Sequence, residues 1–443
     1  MATLEGIGNW YRIPELRRRI LFTLAMLAVY RVGVFVTAPG VDRNAMSQYM
    51  NTQSGNLLGF FNLFSGGALK NLSIFALGVM PYISASIIMQ LMGMVYKPID
   101  ELRKEGEAGR RKIDQYTRYG TIALAAFQSW GIAKFIEGLS SPEQGGGVVN
   151  HPGLGFELMT VLTLTTGTAF LMWLGEQITE RGIGNGMSLI IMAGIMVGVP
   201  DYIVGYMQQN AGDLRPLTAA GVVALLVGCI AIVAFFENAR RNIPIVYSRR
   251  QVGRRVYGGQ TTHLPLKVNA SGVIPPIFAS SLLMFPATLA NMGLPGMDYL
   301  QSLLNRGGWM WHTTYAVLIV FFTFFYTGIV FQPVDVAENL KKQQANIPGI
   351  RPGKQTADFI DRIVRRITVA GAAYVAAICV IPSMIGDAIR VQITFGGTSV
   401  MIVVGVALDT ITQINGHLLQ RNYEGITGPG TGRLRGRRAP VAT

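Results

Sequence analysis

Residues able to do acid–base or metal chemistry are few and far apart in this chain. The four histidines, His151, His263, His312 and His417, are scattered, with no H-E-x-x-H or comparable ligand spacing. The two cysteines, Cys229 and Cys379, both fall inside apolar runs. That placement fits buried apolar thiols rather than a disulfide framework or a metal site. G-I-G-N-G at 182–186 resembles a phosphate loop, but no strand precedes it and no Lys-Ser/Thr follows. A tight turn is the simpler account. Only Arg31 and Asp409 place charge deep in well-defined apolar runs, each about ten residues from the cytoplasmic end of its run. The expectation is that these two form a structural ion pair, because a proton relay would need more than one carboxylate. No cofactor, no metal and no enzymatic activity is expected.

The elements around these residues are membrane spans. Of 443 residues, 50% are hydrophobic and only 14% are charged. A hydrocarbon core of about 30 Å needs roughly 20 apolar residues of helix. Ten runs approach that length: 20–38, 74–96, 117–137, 156–175, 187–206, 216–236, 271–290, 313–331, 367–386 and 398–419. Each must be helical, since the bilayer offers no water to an open backbone and the runs lack barrel alternation. The expected fold is therefore an all-α membrane protein of ten transmembrane helices. Span 1 is not a removable signal peptide, being long and carrying Arg31.

Charge sets the orientation. Of 38 Lys and Arg, 31 fall before span 1, in alternate loops (97–118, 176–186, 238–270, 332–366) and after 420, and five fall in the opposite loops. Positive loops stay cytoplasmic, which puts both termini inside. The net charge of +14 is mostly this bias, and it also suits anionic phospholipid or RNA at the cytoplasmic face.

The polar external linker 207–215 (MQQNAGDLR) separates two sets of five spans. Five is odd, so the second set starts on the opposite side from the first, as in an inverted repeat. The expected units are an N-terminal half (1–206), the linker, a C-terminal half (216–420) and a flexible basic tail (421–443). Segment 55–73 (GNLLGFFNLFSGGALKNLS) lies outside by topology yet is rich in Phe and Leu, and Gly66-Gly67 would break a helix there. Two alternatives stay open from the residues alone: a re-entrant segment lining a cavity, or an interfacial amphipathic helix. Loop 249–267 mixes paired Arg with Gly-Gly in a hairpin-like arrangement with a basic tip. Loop 346–354 holds Arg351 between two Pro/Gly turns. Two ordered basic loops exceed what orientation needs and favour a docking surface.

Long motifs then carry a resemblance from about residue 15 to 425. They are FNLFSGGAL (61–69), MPYISASIIMQL (80–91), KEGEAGRRKIDQYTRYGT (104–121), FLMWLGEQITERGIGNG (170–186), THLPLKVNASGVIP (262–275), IPGIRPGKQTADFID (347–361) and FGGTS (395–399). With these the chain resembles the SecY family, the large subunits of bacterial protein-conducting channels. The resemblance implies two pseudo-symmetric five-helix halves around a central pore. The pore passes unfolded secretory chains and releases apolar segments into lipid. Carried over position by position, the pore ring is Val79, Ile83, Met187, Ile191, Ile277 and Ile402. Val79 and Met187 depart from the family's commonest Ile, which puts the tightness of the seal in question. The plug is 57–72, with Phe60, Phe61, Asn62, Leu63, Phe64, Ser65, Gly66 and Gly67. Spans 2–3 and 7–8 form the lateral gate, with polar Gln90 and Asn269. Arg254, Arg255 and Arg351 match positions that dock the ribosome or the motor ATPase SecA. Implied partners are the small subunits SecE and SecG, SecA, the ribosome with its rRNA, nascent chains and anionic phospholipid, in the bacterial plasma membrane. A five-plus-five secondary transporter is the main alternative, followed by an intramembrane enzyme and a scaffold. Sparse mid-membrane charge and the motif match argue against them.

Overall fold

The computed structural model describes residues 14–52, 62, 64–139, 148–149, 151–209, 216–247, 250–252, 255–257, 261–291, 299, 308–389 and 396–427. Helices dominate. Before the linker they are α1 (Pro14–Gly33), α2 (Arg43–Thr52), α3 (Met80–Val95), α4 (Lys97–Lys104), α5 (Glu107–Leu139), α6 (Leu154–Arg181) and α7 (Gly186–Gln209). After it come α8 (Pro216–Asn238), α9 (Ile274–Asn291), α10 (Trp309–Val330), α11 (Pro333–Lys342), α12 (Lys354–Ile389) and α13 (Gly397–Thr427). Among the described residues, four helical stretches are long and apolar enough to cross a membrane: Leu154–Arg181, Trp309–Lys342, Lys354–Gly386 and Gly397–Leu418. Gly186–Pro200, Val223–Asn238 and Ile274–Leu283 are shorter apolar helices.

The second apolar run departs from expectation. Residues 74–79 are turns, and helix α3 begins only at Met80. Leu72 (φ 38°) and Gly78 (φ 57°) take left-handed backbone, which interrupts a helix, and Pro81 suits the first turn of the next one.

The basic loops depart from a purely helical fold as well. Strands β1 (Arg240–Tyr247) and β4 (Thr261–Lys267) pair antiparallel from Arg240↔Lys267 to Val246↔Thr261. Between them β2 (Arg250–Val252) and β3 (Arg255–Tyr257) form a separate antiparallel ribbon. Short strand β5 (Ala345–Asn346) comes from the next basic loop and pairs with the other edge of β1. The two loops thus share one sheet. Ile243 and Ile245 alternate with exposed neighbours on β1 and pack with Leu266, Leu340, Ile347, Ile360 and Ile363 in a small core of their own.

The helices before the linker pack on one another, as do those after it. The two sets meet along α9, which lies against α3 and α5, and along α13, which lies against α7. The main apolar core runs between them.

Candidate functional site

All six predicted ring residues are buried in that one core: Val79, Ile83, Met187, Ile191, Ile277 and Ile402. Each sits near the N-terminal end of a helix. Val79 is the N-cap of α3, and Ile83 lies one turn on, its amide donating to the Val79 carbonyl at 3.1 Å. Met187 and Ile191 occupy the first turns of α7, Ile277 the first turn of α9 and Ile402 the second turn of α13. Each pair four residues apart shares a helix face.

Met187 is accommodated by a glycine. A Cβ on Gly175 of α6 would lie 2.6 Å from the Met187 sulfur, so the thioether lies along a groove that only glycine leaves open. The neighbouring G-I-G-N-G is a tight turn with Gly184 at φ 90°. It is fastened on three sides: the Ile183 amide donates to Thr23 Oγ1 on α1, the Gly184 amide to Gln413 Oε1 on α13, and the Gly186 amide to Thr179 Oγ1 on α6. Asn185 then caps α7 by accepting from the Ser188 amide.

Segment 64–79 is folded into the protein, not laid over its surface. Phe64, Ser65, Ala68, Leu69, Leu72, Phe75 and Leu77 are buried, and Phe64 and Ala68 belong to the same core as the six ring residues. That burial favours the re-entrant alternative over the interfacial one. Asn62 organises the turn by accepting from the Lys70 amide at its side chain and from the Gly67 amide at its carbonyl, 2.8 Å each. Tyr30 Oη donates to the Ser65 carbonyl (3.0 Å), and Arg31 Nη1 donates to the Gly66 carbonyl (2.9 Å). The return strand is pinned to the residues after α1, with Ile74 N donating to Val36 O and Ala38 N to Leu72 O. Phe60, Phe61 and Leu63 lie outside the described residues.

The expected Arg31–Asp409 pair does not form. Arg31 is in the last turn of α1, stacked 4.7 Å over Phe35 and bonded to Gly66. Asp409 faces Lys267, at the end of β4, at 3.7 Å. Arg31 lies at the far end of α1 from Pro14, whereas Lys267 closes the sheet of the basic loops.

The two residues expected to make the gate polar each bond locally. Gln90 Nε2 donates to Ser86 Oγ within α3 (3.1 Å). Buried Asn269 donates to Glu237 Oε1 on α8 (2.6 Å) and to the Gly272 carbonyl, and its oxygen accepts from Ser271. Of the spans expected to form the gate, 2–3 and 7–8, α9 packs against α3 and α5, and α10 packs on α9.

Of the basic residues, Arg351 is exposed on a turn braced by Thr356 Oγ1, which donates to the Arg351 carbonyl (2.9 Å), with Gly349 and Gly353 at positive φ on either side. Arg255 opens β3. Arg254 lies outside the described residues. Cys229 and Cys379 are free and buried, and the described residues contain no cluster of metal-binding side chains.

The SecY family model matches residues 73–411. The chain belongs to the SecY family. It is 50% identical over 93% of its length to the protein translocase subunit SecY of Escherichia coli K12, covering 94% of that protein. It is 49% identical to the SecY subunit of Rickettsia typhi, over 93% of this chain and 96% of the other. Two solved structures share the SecY fold at low identity. One, described as the structure of a protein conducting channel, matches with TM-score 0.64 at 18% identity, over 94% of this chain and 97% of that one. The other, Sec61 in a canine ribosome–channel complex, matches with TM-score 0.60 at 18% identity and the same coverage.

Tyr30, Gly194 and Glu237 are site residues that the sequence did not single out. Gly194 on α7 approaches the Gly66 backbone directly. A glycine at i+3 from Ile191 was the available signal for such a close approach.

Proposed function

We propose that this chain is the pore-forming subunit of a protein translocase in the bacterial plasma membrane. It is a passive channel that moves unfolded secretory polypeptide across the bilayer and releases transmembrane segments sideways into lipid. Ten helices would span the membrane, α1, α3, α5, α6 and α7 in one half and α8, α9, α10, α12 and α13 in the other, with both termini cytoplasmic. SecE and SecG would complete the complex, and SecA or the ribosome would supply the driving force. The observation that carries this reading is the common burial of six aliphatic side chains from four helices with Phe64 and Ala68 of the re-entrant segment.

Val79, Ile83, Met187, Ile191, Ile277 and Ile402 act as the waist. An apolar constriction excludes water and ions by dewetting and gives a passing chain no hydrogen-bonding grip. The turn around Phe64–Gly67 is the plug, seated by Tyr30 and Arg31 at rest. The seam between α9 and α3/α5 is the lateral gate, with Gln90 as a polar residue of its lining, while Asn269 ties the chain before α9 to α8 through Glu237. Sorting through it follows transfer free energy: each Leu or Ile gains a few tenths of a kcal/mol in lipid, whereas a central charge costs about 3 kcal/mol. Arg254, Arg255 and Arg351 form the docking surface, where forked guanidinium donors suit rRNA phosphates and acidic protein surfaces.

The test is reconstitution with SecE and SecG in vesicles containing anionic phospholipid. Added SecA, ATP and an unfolded secretory precursor should give precursor sealed from external protease. Precursor that stays fully digestible, with SecA bound to the vesicles, would refute the reading.

A further inference from the structure

Pro333 opens helix α11 four residues after Ile329, close to the end of α10. Helix α10 ends at Val330, and Phe331 (φ −114°, ψ 107°) and Gln332 (φ −102°, ψ 104°) are extended, so the Ile329 carbonyl has no helical amide to accept from. Without another donor that acceptor would be orphaned at a buried residue. Arg103 answers it: Nη2 donates to the Ile329 carbonyl at 2.9 Å across 226 positions of sequence. Arg103 stands in the last turn of α4, which packs on α3 and α5. Its neighbour Lys104 is committed to Asp100 within the same helix (2.6 Å). The bond therefore bridges the two helix sets at the cytoplasmic end of the seam where α9 meets α3 and α5.

Helix α10 carries α9 with it. Phe278, next to ring residue Ile277, meets Phe322 and Tyr326 of α10 edge-on at 5.7 and 6.3 Å. Beyond Pro333, α11 leads into β5 and the Arg351 turn. Helix α10 thus packs on α9, and Arg103 grips the end of α10.

We propose that Arg103 is a positioning residue that latches the lateral gate shut by holding the free Ile329 carbonyl at the end of α10. This rests on the channel reading above.

The test compares Arg103→Gln and Arg103→Lys with the parent in the reconstituted complex. The readout is translocation of a precursor with a shortened apolar signal, divided by that of the intact precursor. A charge-assisted hydrogen bond at a partly exposed site predicts a rise of roughly tenfold for Arg103→Gln, with Arg103→Lys between it and the parent. An unchanged ratio, or a proportional loss for both precursors, would overturn the latch. Failure of the parent complex to translocate even the intact precursor would sink the channel reading, and the latch with it.

Discussion

Gly66 and Gly194 touch backbone to backbone. A Cβ built on Gly66 would lie 2.8 Å from the Gly194 Cα and 2.7 Å from the Tyr30 hydroxyl. Built on Gly194, it would lie 3.2 Å from the Gly66 Cα and amide nitrogen. The re-entrant turn can seat against α7 only because neither residue has a side chain.

Gly66→Ala should therefore unseat the turn. It adds the clash to a left-handed backbone (φ 66°) that costs an L-residue about 1–2 kcal/mol. Gly194→Ala should act in the same direction and more weakly, since its neighbours need shift by only a few tenths of an ångström. Dye leakage from resting vesicles is the measurement. Leakage should rank Gly66→Ala above Gly194→Ala above parent, and a seal unaffected by Gly66→Ala would exclude this seating.

Tyr30 and Arg31 hold the same turn by two carbonyls. Removing either donor leaves a carbonyl unanswered at a cost of about 1–3 kcal/mol. Arg31→Gln should be the more damaging, because its bond is charge-assisted. Thiol-reagent labelling of a cysteine at Ser65 should accelerate in Tyr30→Phe and further in Arg31→Gln. Equal protection in all three proteins would show that the turn is held elsewhere.

Met187 depends on Gly175. Gly175→Ala pushes a methyl into the thioether and should destabilise by about 1–3 kcal/mol through overpacking. Met187→Val removes the sulfur that the methyl meets, so the double variant should recover most of the loss in thermal unfolding. Strictly additive losses would mean that the two residues are not in contact.

Glu237 lies just beyond the apolar run of α8. Burial pushes its carboxyl above the ordinary value and Asp409 adds to this, while the Asn269 bond and Lys267 pull the other way. The folded protein thus holds this proton more tightly than the unfolded chain does. Stability should fall as pH rises from about 4.5 through the raised folded value. Glu237→Gln keeps the acceptor for Asn269 and should flatten that part of the pH profile of thermal unfolding. An identical slope in both proteins would contradict the assignment.

Much of this was legible in the sequence. Apolar runs marked the helices because a bilayer leaves the backbone no alternative. The basic hairpin and the Arg351 turn showed in their Gly and Pro placement. Three things were hidden because they depend on contacts far apart in the chain. Arg31 bonds to a carbonyl, and carbonyls have no signature in sequence. Asn269 turns to Glu237, not across the seam. Strand β5 is too short to stand out and exists only because β1 offers an edge. The break at 74–79 had a local signal in Gly78 and Pro81, outweighed by the hydrophobicity around it.

The most direct measurement is photocrosslinking of a stalled secretory chain from probes at Ile83, Ile191, Ile277 and Ile402, with exposed Ile88 and Met196 on the same helices as controls. Strong crosslinks from the four buried sites and none from the controls are predicted. An engaged complex whose chain crosslinks to none of the four would show that the polypeptide takes another path.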